Sequence, residues 1–134
     1  CSSDLGRFFH GDYKCYCYLP LYIFCGSHLL AAKLRPSNID AAAGSVKLLD
    51  RIVQQIRGEW PKVKIVIRGD GGFCRENIMH WCESNDVDDV LGMPKNARLK
   101  RAIGKELHEA KQPFEATGLA LRVFKDFCYR TKKS

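Results

Sequence analysis

Apolar side chains recur along the chain at two spacings, and each spacing predicts its own elements. Residues 13–25, YKCYCYLPLYIFC, are dense in aromatic and β-favouring side chains, and a second apolar run, HLLAAKLR, covers 28–35. Gly26 and Ser27 lie between them, glycine first, the order a type II′ turn takes, so the two runs predict an antiparallel hairpin. Pro20 has no N–H to give to a ladder, which predicts a bulge or a free edge there. RPSN, 35–38, then breaks the sheet.

From Asp40 to Arg57 the spacing becomes helical: Val46, Leu49, Ile52, Val53 and Ile56 form one apolar stripe. Gly58 follows where a left-handed C-terminal cap would sit. VKIVIR, 63–68, lies between Pro61 and Gly69 and predicts a short central strand buried on both faces. A second helix is expected from 73 to 84, burying Phe73, Ile78, Trp81 and Cys82. VDDVLGM, 87–93, predicts a strand, Leu99, Ile103 and Leu107 a third helix, and LALRVFKDFCYRT, 119–131, a final strand. The order β-β-α-β-α-β-α-β is an α/β fold, a hairpin followed by βαβ units, with no internal repeat or linker to divide it.

A chain of 134 residues with 46% apolar composition can build a core and is no disordered tail. Twenty-two Lys and Arg against fifteen Asp and Glu leave a net charge of +7, which favours a polyanionic partner, most simply nucleic acid. The longest apolar stretch, 15–25, holds Pro20 and is too short to cross a bilayer, so a soluble cytoplasmic protein with no membrane partner is expected. The seven cysteines include no Cys-x-x-Cys pair and read as buried thiols of a reducing compartment. Cys15 and Cys17 share a strand face at a spacing too stiff to close easily into a disulfide. His80 and Cys82 diverge by about 200° on a helix and make a poor metal pair.

One short stretch carries candidate chemistry. KIVIRGDGGF, 64–73, sets Asp70 among three glycines at the end of an apolar run. Neither phosphate-loop pattern fits: Cys74 stands where G-x-G-x-x-G needs its last glycine, and Gly-Lys-Ser/Thr does not occur. A carboxylate would also repel phosphate in a metal-free cradle. At the C-terminal end of a parallel strand it suits Mg²⁺, which takes one or two acidic oxygens together with substrate phosphate oxygens. Alternatively, Asp70 caps the helix that follows.

The segment KNARLKRAIGK carries Lys95, Arg98, Lys100, Arg101 and Lys105 without an acid, and YRTKKS adds cations at the end. Five cations on one helix could neutralise several phosphates, or simply form a solvated face. Arg35 and Arg68 end strands on either side of the first helix and could reach a phosphate or form surface ion pairs. Tyr13, Tyr16, Tyr18, Tyr22 and Trp81 read as core or sheet-face aromatics rather than base-stacking platforms, and His10 and Glu76 as structural, His10 through a hydrogen bond.

Three segments together, GRFFHGDYKCYCYLPLYIFCGSHLLAAKLRPSNIDA (6–41), IVIRGDGGFCRENIMHWCESNDVD and LGMPKNARL, closely resemble the DDE transposases of bacterial insertion sequences. The nearest group carries its second catalytic acid in an Arg-small-Asp-small-Gly-Phe motif. The resemblance implies an RNase H-like mixed sheet in which two or three acids hold two Mg²⁺ ions for DNA strand cleavage and strand transfer. It places Asp70 as a catalytic, metal-binding acid. It implies DNA as partner, both element ends and target, contacted by the basic segment; a homo-oligomer in the DNA complex; and a bacterial, nucleoid-associated location.

The chain also departs from that pattern. The family's first acid lies on a strand ahead of GRFFHG, where this chain has CSSDL and no apolar strand around Asp4. Its third acid, a helical Glu, lies past Ser134. Gly69 and Gly71 stand where other small residues are usual, and Asp89 where an aromatic is common. With Cys1 first and YRTKKS last, residues 1–134 read as a partial catalytic domain truncated at both ends, inactive alone. The missing first strand belongs between the hairpin and the Asp70 strand, so a poorly closed sheet is expected unless residues 1–9 or a neighbouring segment fill the gap. A non-catalytic DNA-binding remnant is the alternative, and a nucleotide-binding α/β domain a distant third.

Overall fold

In the computed structural model, which describes residues 7–11 and 13–129, Pro20 divides the first apolar run in two. The expected single strand over 13–25 is therefore corrected. Its first part, β2 (Cys15–Cys17), pairs antiparallel with β1 (Phe8–His10), Phe8 opposite Cys17 and His10 opposite Cys15. Its second part, β3 (Leu21–Cys25), pairs antiparallel with β4 (His28–Lys33). Pro20 sits between ladders, where its missing donor removes no bond. That is the free edge expected at Pro20, and a separate register shift lies between Ile23 and Phe24. The turn follows expectation: Gly26 has φ 58, and Ser27 is not left-handed. Cys1 and Asp4 lie outside the described residues, as do Arg130, Lys132 and Lys133.

The first compact unit, 1–94, is organised by α1 (Ser45–Glu59). Gly44 enters the helix with φ 74, and the Ser45 hydroxyl donates to Ala42 O at 2.6 Å. Leu49 and Val53 are buried, with Val46, Ile52 and Ile56 half-buried beside them, the stripe the spacing predicted. The helix runs through Gly58, however, and ends at Trp60, whose N–H donates to Ile56 O. Pro61 explains the correction, because the residue before a proline is driven out of helical geometry.

Strands β5 (Val66–Gly69) and β6 (Asp88–Leu91) pair in parallel, Ile67 opposite Asp89, and α2 (Glu76–Ser84) connects them in a βαβ unit. Ala42, Val53, Ile78, Cys82 and Val87 form the buried cluster, with Ile65, Ile67, Phe73, Trp81 and Leu91 packed against it. Ile78 and Cys82 are its most buried side chains, and burial pushes the Cys82 thiol upward, with Asp89 and Glu83 adding to the shift. The opposite face of the pair, with Val66, Arg68 and Val90, is exposed. This corrects the expectation of a central strand buried on both faces, since among the described residues β5 has a single strand partner, β6.

The described strands make three separate two-stranded sheets. Residues 8–10 pair with β2 and so do not bridge the hairpin to β5. Between β3 and β5 a largely apolar cavity of about 490 Å³ remains, lined by Tyr22, Phe24, Leu49, Ile52, Val66 and Ile67 among others.

The second unit, 95–134, holds α3 (Ala97–Ala102) and α4 (Gly104–Thr117) in place of one third helix. The Asn96 side chain caps α3 by accepting from Leu99 N at 2.9 Å. Gly118, at φ 72, closes α4 with its N–H on Phe114 O. The expected strand over 119–131 does not form within its described part. Its alternation is real, but no strand among the described residues of this unit offers a ladder to its backbone. Lys125 ties the segment to the helices by bonds to Glu106 at 2.8 Å and Ala102 O at 2.9 Å. The Lys125 contact holds the Glu106 carboxyl below the usual carboxylate range, helped by a backbone hydrogen bond.

Candidate active site at the Asp70 turn

β5 ends at Gly69, and the next residue turns the chain. Asp70 Oδ1 accepts from Gly72 N–H at 2.8 Å, and its backbone carbonyl accepts from Phe73 N–H at 3.0 Å. Asp70 therefore caps its own turn. It does not cap α2, whose N-cap is Arg75 without a side-chain bond. Among the described residues Oδ2 accepts no hydrogen bond, and Asp70 is exposed. The carboxylate borders an open cavity of about 540 Å³ with Arg68, Gly69, Val90, Leu91 and Gly92. This lies at the carboxyl ends of the parallel pair, where open α/β sheets collect ligands.

Gly92 lets the two strand ends close up. Its N–H donates to Gly69 O at 2.9 Å, and a Cβ here would lie 3.2 Å from Gly71 N and 3.3 Å from Asp70 C. Those are backbone atoms that cannot rotate away. Gly92→Ala is thus expected to displace the Asp70 turn and cost about 1–3 kcal/mol, measured as a lower urea midpoint. Gly58→Ala, in a helix with nothing near the new methyl, should instead gain up to about 1 kcal/mol.

Of the cations near this end, Arg68 is exposed, lines the Asp70 cavity and pairs with no acid among the described residues. Arg35 is the correction. It is buried, its Nε donating to Leu19 O at 3.0 Å and its Nη1 to Ala41 O at 2.9 Å and Ala43 O at 2.8 Å. Burial lowers its pKa against the pull of Asp40. Three of its donors staple the chain, and its burial takes it off the surface a phosphate would meet. Arg75, which the sequence did not single out, pairs with Asp40 at 2.9 Å. The two lie thirty-five residues apart, with no local signal to connect them.

Glu76 is exposed on the first turn of α2. No three His, Cys, Asp or Glu side chains converge on a metal position among the described residues. Tyr16 and Tyr22 are exposed on β2 and β3, sheet-face positions as expected, Tyr13 is exposed outside any strand, and Trp81 packs on the core as expected. His10 Nδ1 is buried without a partner among the described residues, so the expected hydrogen bond is missing; its ring lies 4.9 Å from that of Tyr13. Of the six described cysteines, all free, only Cys82 is buried, which corrects the reading of uniformly buried thiols. Cys17 is half-exposed, its thiol pushed up by local desolvation and by Cys15.

Lys95, Arg98, Lys100, Arg101 and Lys105 are all exposed, but they occupy the approach to α3, α3 itself and the start of α4 rather than one helix. Arg98 stacks over the Tyr129 ring, 5.3 Å from its centroid.

Comparison with known families decides what this arrangement belongs to, since the profile of the transposase DDE domain, group 1, matches residues 2–134. The chain belongs to the DDE transposase family. No curated protein and no solved structure matches it. Membership brings a DNA interaction and, for the family in general, a divalent metal. The residues present fit that metal in part: the open Oδ2 of Asp70 is a hard oxygen ligand of the kind Mg²⁺ accepts, while the described residues that line its cavity include no second acid. No helix among the described residues of this DDE transposase chain is long and apolar enough to cross a membrane.

Proposed function

We propose that this chain is part of the RNase H-like catalytic domain of a bacterial insertion-sequence transposase, whose intact parent cuts and joins DNA with Mg²⁺. The observation that carries this reading is the Asp70 carboxylate. One oxygen is held by Gly72 N–H, and the other is open at the carboxyl ends of β5 and β6.

Asp70 is the second acid of the set. Bound Mg²⁺ would stabilise the attacking and leaving oxygens of an in-line displacement at phosphorus. Arg68, beside it, orients the phosphodiester by charge and hydrogen bonding. Glycine at 69, 71 and 72 lets the turn pack closely on Phe73, Leu91, Pro94 and Ala41, where a Cβ would lie within 3.3 Å of a neighbour. With Asp70 as the one assigned acid, the chain alone is expected to be inactive. In the intact parent the partners are element ends and target DNA, held in a homo-oligomeric complex at the nucleoid. The test is Mg²⁺-dependent nicking of supercoiled DNA by a chain restored with both flanking acids. Nicking that survives unchanged in Asp70→Ala rejects the assignment.

A non-catalytic DNA-binding remnant is the second reading, favoured by the lack of any group of three metal-ligating side chains among the described residues. Both readings use the cations. Replacing Lys100 and Arg101 by alanine is expected to weaken DNA binding at every sequence and to reduce the slope of log affinity against log salt by about 2. An unchanged slope in a salt titration removes these two from the interface. Binding indifferent to Mg²⁺ in the restored chain favours the remnant.

A further inference from the structure

The loop over 36–44 carries no acid aimed at the Asp70 cavity, yet it is tied to the turn at several points. Asp40 Oδ2 takes both Nη2 and Nε of Arg75, at 2.9 and 3.3 Å, and its Oδ1 takes Ala42 N–H at 2.8 Å. Those bonds, Arg75 first, hold the Asp40 carboxyl below the usual carboxylate range, so the pair stays ionised at neutral pH. Buried Arg35 pins the same loop through the carbonyls of Ala41 and Ala43.

Gly72, whose N–H holds Asp70, is where the loop meets the turn. A Cβ on Gly72 would lie 3.3 Å from the Ala41 methyl and 3.0 Å from Asp70 Oδ1. Arg75 N–H donates to Phe73 O at 2.8 Å. Ala41 thus bounds Gly72 on one side, while Arg75, tied to Asp40, anchors the residue after it.

We infer that Asp40 and Arg75 are positioning residues for Asp70, their ion pair locking the turn whose Gly72 N–H aims the carboxylate. An exposed ion pair adds little to global stability, which leaves orientation as its effect. The inference rests on Asp70 being a metal ligand, as proposed above. Partners that orient a metal ligand commonly change metal affinity by about 10-fold or more when removed.

Two NMR readouts on the full chain test it. The first needs no metal: the Gly72 amide proton reports its hydrogen bond to Oδ1, and Asp40→Asn or Arg75→Gln is expected to move it upfield with the urea midpoint held. The second is Mn²⁺ broadening of the same resonance, whose half-effect concentration should rise about 10-fold in either variant. The double variant should show no more than either single change, as coupled residues do. Arg57→Gln, which removes bonds to the Asn85 and Asp86 carbonyls at the far end of α2, is expected to lower the urea midpoint and leave Gly72 in place. An unmoved Gly72 amide in both positioning variants overturns the inference. If Mn²⁺ fails to broaden Gly72 in the parent chain, or broadens it equally in Asp70→Asn, the metal reading falls instead, and the amide shift still decides whether the pair orients the turn.

Discussion

Asp70→Asn, in a chain restored with both flanking acids, is expected to lower Mg²⁺-dependent nicking about a hundred- to a thousand-fold while leaving the urea midpoint where it was. The two expectations come from different atoms of one side chain. An asparagine carbonyl can still accept from Gly72 N–H, so the turn that now holds Oδ1 at 2.8 Å persists. What disappears is the negative charge on the open oxygen, and a hard dication gains little from a neutral amide in its place. Asp70→Ala removes both contributions and so confounds them; the asparagine variant separates turn-capping from metal binding. Full nicking by Asp70→Asn would mean that the residue serves only its turn.

That separation matters because the turn was the most legible part of the site and still allowed two meanings. Asp70 among glycines at a strand end is a local pattern, readable from ten consecutive residues, and it lies where the pattern put it. The stripe of Leu49 and Val53 and the Gly26-Ser27 turn were legible for the same reason, since each is set by neighbours within one or two turns of chain. Errors came where a distant partner or a stronger neighbour decides. Gly58 looked like a helix stop, but Pro61, three residues on, sets the end at Trp60. The alternating run after Gly118 has strand composition but no strand beside it among the described residues of its unit. Arg35 looked free to meet phosphate, but it is buried and three carbonyls from two segments hold it. The Asp40 to Arg75 pair could not be foreseen from any window of sequence, because only the tertiary fold brings those positions together.

An apolar strand supplied ahead of residue 7 is expected to enter the cavity between β3 and β5 and raise the unfolding free energy by about 3–6 kcal/mol. Within the described residues β3 pairs only with β4 and β5 only with β6, so each leaves a row of N–H and C=O groups unmatched. The cavity of about 490 Å³ between them is walled by both strands and by Leu49, Ile52 and Ile56 of α1. Backbone of about five residues could bond to both edges, roughly offsetting its own ordering cost. The gain then comes from two inward apolar side chains, at about 1.5–3 kcal/mol each. Tyr22, Phe24 and Val66, each more than half exposed, would lose contact with water as well. A version with serine at the inward positions should keep the ladder and lose most of the gain, which distinguishes core completion from simple edge pairing. Urea unfolding gives the energy, and hydrogen exchange at the β3 and β5 amides gives the location: slowed exchange on both strands is expected together. Exchange slowed on one strand only, with no rise in the urea midpoint, would show that the two edges do not share a strand.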